Sequence, residues 1–190
     1  MNNLFIEGPI QTGKSTLIRR MLREVFGPDL NGVAGFTSQR VIDRSGQLLG
    51  FRLAPANEDI SIVASPVEMD NIFKWFASDG PHVDMSVFET VGIDYIKNAL
   101  TRFESGRAHI VLLDEIGGHE LASDIFRRAL YELLDSDAPC IGVVKSPANT
   151  LHMDSTLMQR NDELHRKVSV ITEPDLFESG IQRYLKRFTL

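Results

Sequence analysis

Short uninterrupted apolar runs alternate along this chain with stretches whose apolar residues recur every three to four positions, which predicts strands alternating with helices. Leu4, Phe5 and Ile6 form the first run, of the kind that becomes a buried parallel strand. Leu17, Ile18, Met21, Leu22, Val25 and Phe26 then fall at helical spacing, and Gly27-Pro28 stops that helix. Between Val33 and Leu53 two strand-like stretches flank the polar segment Asp43-Arg44-Ser45-Gly46, which predicts a hairpin. Ile60 to Ala64 reads as a further short strand. The segment from Met69 to Val83, with Phe73, Trp75 and Phe76, leaves strand, short helix and lid open. Trp75 reads as packing rather than as a platform for a base.

From about Asp84 onward Val87, Phe88, Val91, Tyr95, Ile96, Leu100 and Phe103 restore the helical period, which Gly106 ends. His109-Ile110-Val111-Leu112-Leu113 is then an apolar strand leading into Asp114-Glu115. A helix with Ile125, Phe126, Ala129, Leu130, Leu133 and Leu134 on one face follows, then a strand from Ala138 to Val144. Val168, Val170 and Ile171 suggest a last strand, and a C-terminal helix starts near Pro174. The alternation predicts one α/β domain over 1–190, with a mostly parallel three-layer sheet and the hairpin as an antiparallel attachment.

The composition suits such a domain. The 190 residues are 43% hydrophobic, enough for a sizeable core, and the formal net charge of -6 gives no electrostatic footprint for nucleic acid. The single cysteine, Cys140, lies in an apolar strand and reads as core. No segment has the apolar length to span a bilayer, and the N-terminus enters its first strand without a basic-then-apolar leader. A cytoplasmic protein without membrane contact is expected.

The chemistry begins at Gly8-Pro9-Ile10-Gln11-Thr12-Gly13-Lys14-Ser15, which spells the phosphate-binding P-loop between the first strand and first helix. Its glycines permit close backbone approach, so that successive N–H groups and the helix N-terminus, with Thr16, can face phosphate oxygens. Lys14 would reach the β- and γ-phosphates, and the Ser15 hydroxyl would bind Mg²⁺. Asp114 stands where a second magnesium ligand belongs, at the C-terminal end of an apolar strand facing the crevice of an open sheet. Glu115 is placed to orient and deprotonate an attacking water, a role that a nucleotide binder lacking hydrolysis would not need. Charge developing on the γ-phosphoryl group would be met by an arginine, with Arg160 the first choice and Arg40 the second. Lys145, His119 and Glu120 are lesser candidates, each also readable as an ordinary surface or helix-end group. The five histidines have no metal-ligand spacing.

Taken together, GPIQTGKSTL, the hairpin with GFTSQR and LGFRL, HIVLLDEIGGHEL and the late NDEL resemble the P-loop nucleoside-triphosphatase family, sometimes called the cancer-related nucleoside-triphosphatases. The resemblance spans most of the chain and is most specific at Asp114-Glu115-Ile116-Gly117 with Glu120-Leu121 and the Gly35-Phe36 hairpin. It implies the additional-strand, RecA-like fold, in which the strand after Asp114 lies beside the P-loop strand. It also implies slow, magnesium-dependent hydrolysis of nucleoside triphosphates such as ATP and GTP, with broad base tolerance. The chain departs from that family at Gln11, where the loop usually has a further glycine. It departs again at Arg160-Asn161-Asp162, where the usual order is Asn-Arg-Asp.

An NTPase is thus the leading expectation. A small nucleoside or nucleotide kinase would have a similar fold and would need an acceptor pocket and commonly an Arg-rich lid, which the sequence does not show beyond Arg160 and Arg166. A nucleotide-dependent binding module is the non-enzymatic alternative, and the sequence names no protein partner for it.

Overall fold

The computed structural model describes residues 2–58, 61–63, 70–146 and 154–189. Its strands are β1 Asn3–Ile6, β2 Val33–Ile42, β3 Leu48–Pro55, β4 Ser61–Val63, β5 Ile72–Ala77, β6 Gly80–Val83, β7 Ile110–Ile116, β8 Cys140–Val144 and β9 Ser169–Ile171. The helices are α1 Lys14–Phe26, α2 Ile93–Glu104, α3 Asp124–Asp135, α4 Ser155–Lys167 and α5 Pro174–Leu185. All nine strands join one sheet in the order β6-β5-β3-β2-β7-β8-β1-β9, with β4 beside the outer part of β2.

The neighbours of β1 are parallel β8 and β9, and β8 in turn is parallel to β7. The strand that follows the acidic pair in sequence therefore lies beside the P-loop strand, as expected. Beyond β2 the pairing turns antiparallel through β3, β5 and β6.

Alternation along the central strands sorts the core into two layers. Ile110 and Leu112 of β7, with Ile141 and Val143 of β8, pack against Ile18, Met21 and Leu22 of α1 and Phe177, Ile181 and Leu185 of α5. Val111 and Leu113 point the other way, toward Ile96 of α2, Phe126 and Leu130 of α3 and Leu164 of α4. Two faces covered by helices require strands that are apolar on both sides, which is why these runs lack a polar alternation. Cys140 is fully buried within this core, and burial pushes its thiol up.

The hairpin turn closes on Asp43, whose Oδ1 accepts from the Ser45 and Gln47 amides at 2.8 Å each. The segment that left strand, helix and lid open is the β5–β6 hairpin, and Trp75 on it stacks over His82 at 5.3 Å between ring centroids. Ile60, Ala64 and Met69, ends of two expected segments, lie outside the described residues. A helix absent from the expectations, α4, fills the stretch after Asp154. Asp154 caps it by accepting from the Leu157 amide at 2.9 Å, and its last turn carries His165, Arg166 and Lys167. None of the helices among the described residues is long and apolar enough to cross a membrane.

Candidate functional site

The loop between β1 and α1 has the backbone that its sequence demands. Gly13 holds φ 82° at the N-cap of α1, a left-handed conformation that glycine adopts without a Cβ penalty. Gln11 also has positive φ, at 61°. No side chain caps α1, and its first turn carries no acid, so the free N–H groups and dipole are left for an external anion.

Lys14 is folded back into this loop. Its Nζ donates to the Pro9 carbonyl at 2.5 Å and to the Gly8 carbonyl at 3.1 Å. Burial lowers its proton affinity, while the charges of Glu115 and Asp114 act to raise it. The lysine thus sits at the mouth of the loop, on carbonyls that a phosphate oxygen would replace as its partner.

The acidic pair ends β7 directly across from the loop. Ser15 Oγ donates to Asp114 Oδ1 at 2.7 Å, and Thr37 Oγ1 of β2 donates to Oδ2 at 3.0 Å. Asp114 is 2% exposed, and burial raises its pKa above the usual carboxylate value despite these two donors. Ser15 and Asp114 so present a hydroxyl and a carboxylate at one point, 99 residues apart in sequence. Two hard oxygens set side by side suit a hard divalent cation that keeps most of its waters.

Glu115 follows on the same strand and faces the cleft. Burial raises its pKa as well, opposed chiefly by the charge of Lys145. Lys145, just past β8, lines the cleft and pairs with Glu120 at 3.2 Å. Glu120 is 3% exposed, and it reaches this position through the turn at Gly117-Gly118. Gly118 has φ 143°, and a Cβ there would sit 3.0 Å from the Lys145 Nζ. Both residues were lesser candidates in the sequence; the structure makes them a partly buried ion pair at the edge of the acidic strand.

The cleft measures about 750 Å³. Loop residues Ile10 to Thr16 form one side, and Asp114, Glu115 and Lys145 form the floor. Gly8 and Pro9 contribute carbonyls to Lys14 behind it. The third side belongs to the antiparallel strands: Ser38 and Arg40 of β2, Leu48 and Phe51 of β3, and Phe73, Lys74 and Phe76 of β5. Sequence reasoning named Arg40 but missed this aromatic wall. Its signal was present in the Phe73 and Phe76 spacing, although nothing local tied that segment to the loop.

Arg160 is not brought to the cleft. Its guanidinium on α4 donates to the Leu121 and Ala122 carbonyls at 2.8 Å each and to Asp124 Oδ1 at 2.9 Å. His119 is exposed and lies outside the cleft lining. Among the described residues no three His, Cys, Asp or Glu side chains cluster as a metal-ligand group.

The model of the NTPase family matches residues 3–175. The chain belongs to the NTPase family. Among curated relatives, the nucleoside-triphosphatase THEP1 of Thermococcus kodakarensis is 28% identical over 143 residues, covering 74% of each chain. That of Thermotoga petrophila is 25% identical over 146 residues, 77% of this chain and 73% of the relative. Of solved structures, THEP1 from Aquifex aeolicus superposes with a TM-score of 0.66 at 17% identity, over 99% of both chains. A human cancer-related nucleoside triphosphatase gives 0.63 at 20% identity, over 98% of this chain and 97% of that one. These two likenesses extend the P-loop NTPase fold to nearly the whole chain.

Proposed function

We propose that this protein hydrolyses nucleoside triphosphates, ATP and GTP among them, to the diphosphate and phosphate, with Mg²⁺ and with broad tolerance of the base. The observation that carries the reading is the Ser15–Asp114 contact at 2.7 Å, which closes the phosphate loop onto the acidic strand. The THEP1 relatives, named nucleoside-triphosphatases, support it from outside the chain.

In this reading the backbone N–H groups of the loop from Ile10 to Thr16 and the N-terminus of α1 hold the phosphates. Lys14 leaves the carbonyls of Gly8 and Pro9 for the β- and γ-oxygens, which carry charge in place of dipoles. Ser15 and Asp114 would hold the magnesium ion, which when bound neutralises charge developing on the transferred group. Glu115 orients the attacking water and takes its proton, the step for which burial has raised its proton affinity. Arg160, fastened to Leu121, Ala122 and Asp124, supports the segment that carries Glu120 and is left out of the phosphate chemistry. A single domain working in the cytoplasm, where nucleotide and magnesium are supplied, completes the reading.

Phosphate release from ATP, GTP, CTP and UTP, with and without Mg²⁺, tests it. Release is expected from several bases, dependent on the metal, and lost in Lys14→Ala. Glu115→Gln is expected to lower turnover by ~10²- to 10⁴-fold while nucleotide still binds. Unchanged turnover in Glu115→Gln would remove that residue as the base.

A further inference from the structure

The cleft has a side that hydrolysis leaves unused. The loop amides cradle the α- and β-phosphates, and Lys14 reaches the β- and γ-phosphates, so the phosphate chain runs from α1 toward the acids of β7. Along the sheet β7 is followed by β2, β3 and β5. On that path the wall that these strands build would stand beyond the γ-phosphate, away from the end where the nucleoside is attached.

The register explains why that wall is one surface. Arg40 pairs with Phe51, and Phe51 pairs with Lys74, so the three side chains share a face, with Ser38 and Phe76 two residues along on the same face. Thr37 is the residue of β2 opposite Asp114, so Ser38 to Ile42 continue past the acidic strand end. Phe51 lies 6.4 Å from Phe73 and 6.3 Å from Phe76 between ring centroids, and Lys74 Nζ sits 5.6 Å over the Phe76 ring. Phe76 is 43% exposed, and Ile10 on the facing loop is 65% exposed. A water nucleophile requires none of this apolar surface. Three phenyl rings suit a flat aromatic ring, and two cations beside them suit an anionic group on the same molecule.

We propose that the wall of Arg40, Phe51, Phe73, Lys74 and Phe76 is a subsite for a second ligand of the nucleoside-monophosphate class, which accepts the γ-phosphoryl group in place of water. The inference rests on the triphosphate binding as described above. A phosphate oxygen of the acceptor donates its lone pair to the γ-phosphorus, and the bond from that phosphorus to the β,γ-bridging oxygen breaks. The electron pair leaves on the nucleoside diphosphate, and the acceptor becomes a second diphosphate. With a phosphate dianion as acceptor no proton need be removed. The ring stacks on the phenyl groups, and Arg40 and Lys74 offset the repulsion between the two phosphate groups.

The test seats the β,γ-imido analogue of ATP with Mg²⁺ on the full chain and titrates AMP, GMP, CMP and UMP by calorimetry. In parallel, transfer from γ-³²P-labelled ATP to each monophosphate is read by chromatography. A monophosphate is expected to bind one per chain on top of the analogue and to yield labelled diphosphate. Phe51→Ala and the surface variant Lys74→Ala are expected to weaken it by about tenfold, with the analogue's affinity unchanged and folding checked by circular dichroism. Analogue binding without any monophosphate binding overturns the subsite and leaves the hydrolase reading standing. Monophosphate binding without labelled product overturns the transfer. Loss of analogue affinity in both variants shows that the wall holds the triphosphate's own base and overturns the proposal. Failure of the analogue to bind the wild type sinks both readings together.

Discussion

Gln11 holds a left-handed backbone at φ 61° in the middle of the phosphate loop, at the position where the resembled family has glycine. A side chain there crowds its own carbonyl and costs about 1–2 kcal/mol, whereas glycine enters the region freely but loses more freedom on folding, by ~0.5–1 kcal/mol. Gln11→Gly is therefore expected to leave the protein equally stable or up to about 1.5 kcal/mol more stable in urea unfolding, with hydrolysis retained. Gln11→Val, with its branched Cβ, is expected to fall below wild type. Equal stability of the glycine and valine variants would mean that the backbone at residue 11 is not left-handed in solution. At this scale the sequence was most legible where a residue's role follows from its neighbours in the chain: Gly13, Lys14 and Ser15 are read from one another. Asp114 and Glu115 were legible as a strand end carrying charge. The Lys145–Glu120 pair was not, because the turn at Gly117-Gly118 that folds Glu120 back under Lys145 joins residues 25 apart.

The contact between α4 and the start of α3 shows what element-level reading misses. α4 buries only Leu157, Asn161 and Leu164, and Met158 on it is 51% exposed, so its apolar stripe is too thin to stand out from a polar loop. Its docking is polar instead, through Arg160 to the carbonyls before α3 and to Asp124. The β5–β6 hairpin was illegible for a different reason. Its strand character comes from pairing with β3, which no local pattern encodes. The α4–α3 contact gives a prediction in acid. The hydrogen bond from Arg127 and then the charge of Arg160 hold the Asp124 carboxyl below its usual value. A depressed carboxylate stabilises the fold fully above the ordinary value near 4 and loses that contribution as pH falls through the lower folded-state value. Wild type is therefore expected to melt above Asp124→Asn at pH ~7, and the two melting curves to converge in strong acid. A gap that persists in strong acid would assign the effect to something other than the Asp124 charge.

At the scale of the whole molecule, β8 lies between the strand that leads to the phosphate loop and the strand that carries the acids, so a nucleotide bound as proposed would lie over the boundary shared by both core layers. The alternation of strands and helices announced the parallel sheet, and the resemblance announced its order. The outward extension of β2 and β3 past the carboxyl edge was hidden, since register is a property of two strands and not of either sequence. A ligand that bridges loop and acids binds only when both are in place, so it stabilises the entire fold through mass action. At a free concentration about 100 times its dissociation constant, Mg²⁺-nucleotide adds about 2.7 kcal/mol, which for a chain of this size raises the melting temperature by roughly 5 to 10 °C. Chelating the magnesium is expected to remove the share that depends on Ser15 and Asp114 while leaving that of the loop amides and Lys14. Lys14→Ala is expected to lose most of the shift, because a carboxylate pair facing a polyphosphate is then uncompensated. A full shift that survives both chelation and Lys14→Ala would place the nucleotide somewhere other than over the joint of β1, β8 and β7, since at that joint each missing cation leaves anions facing anions.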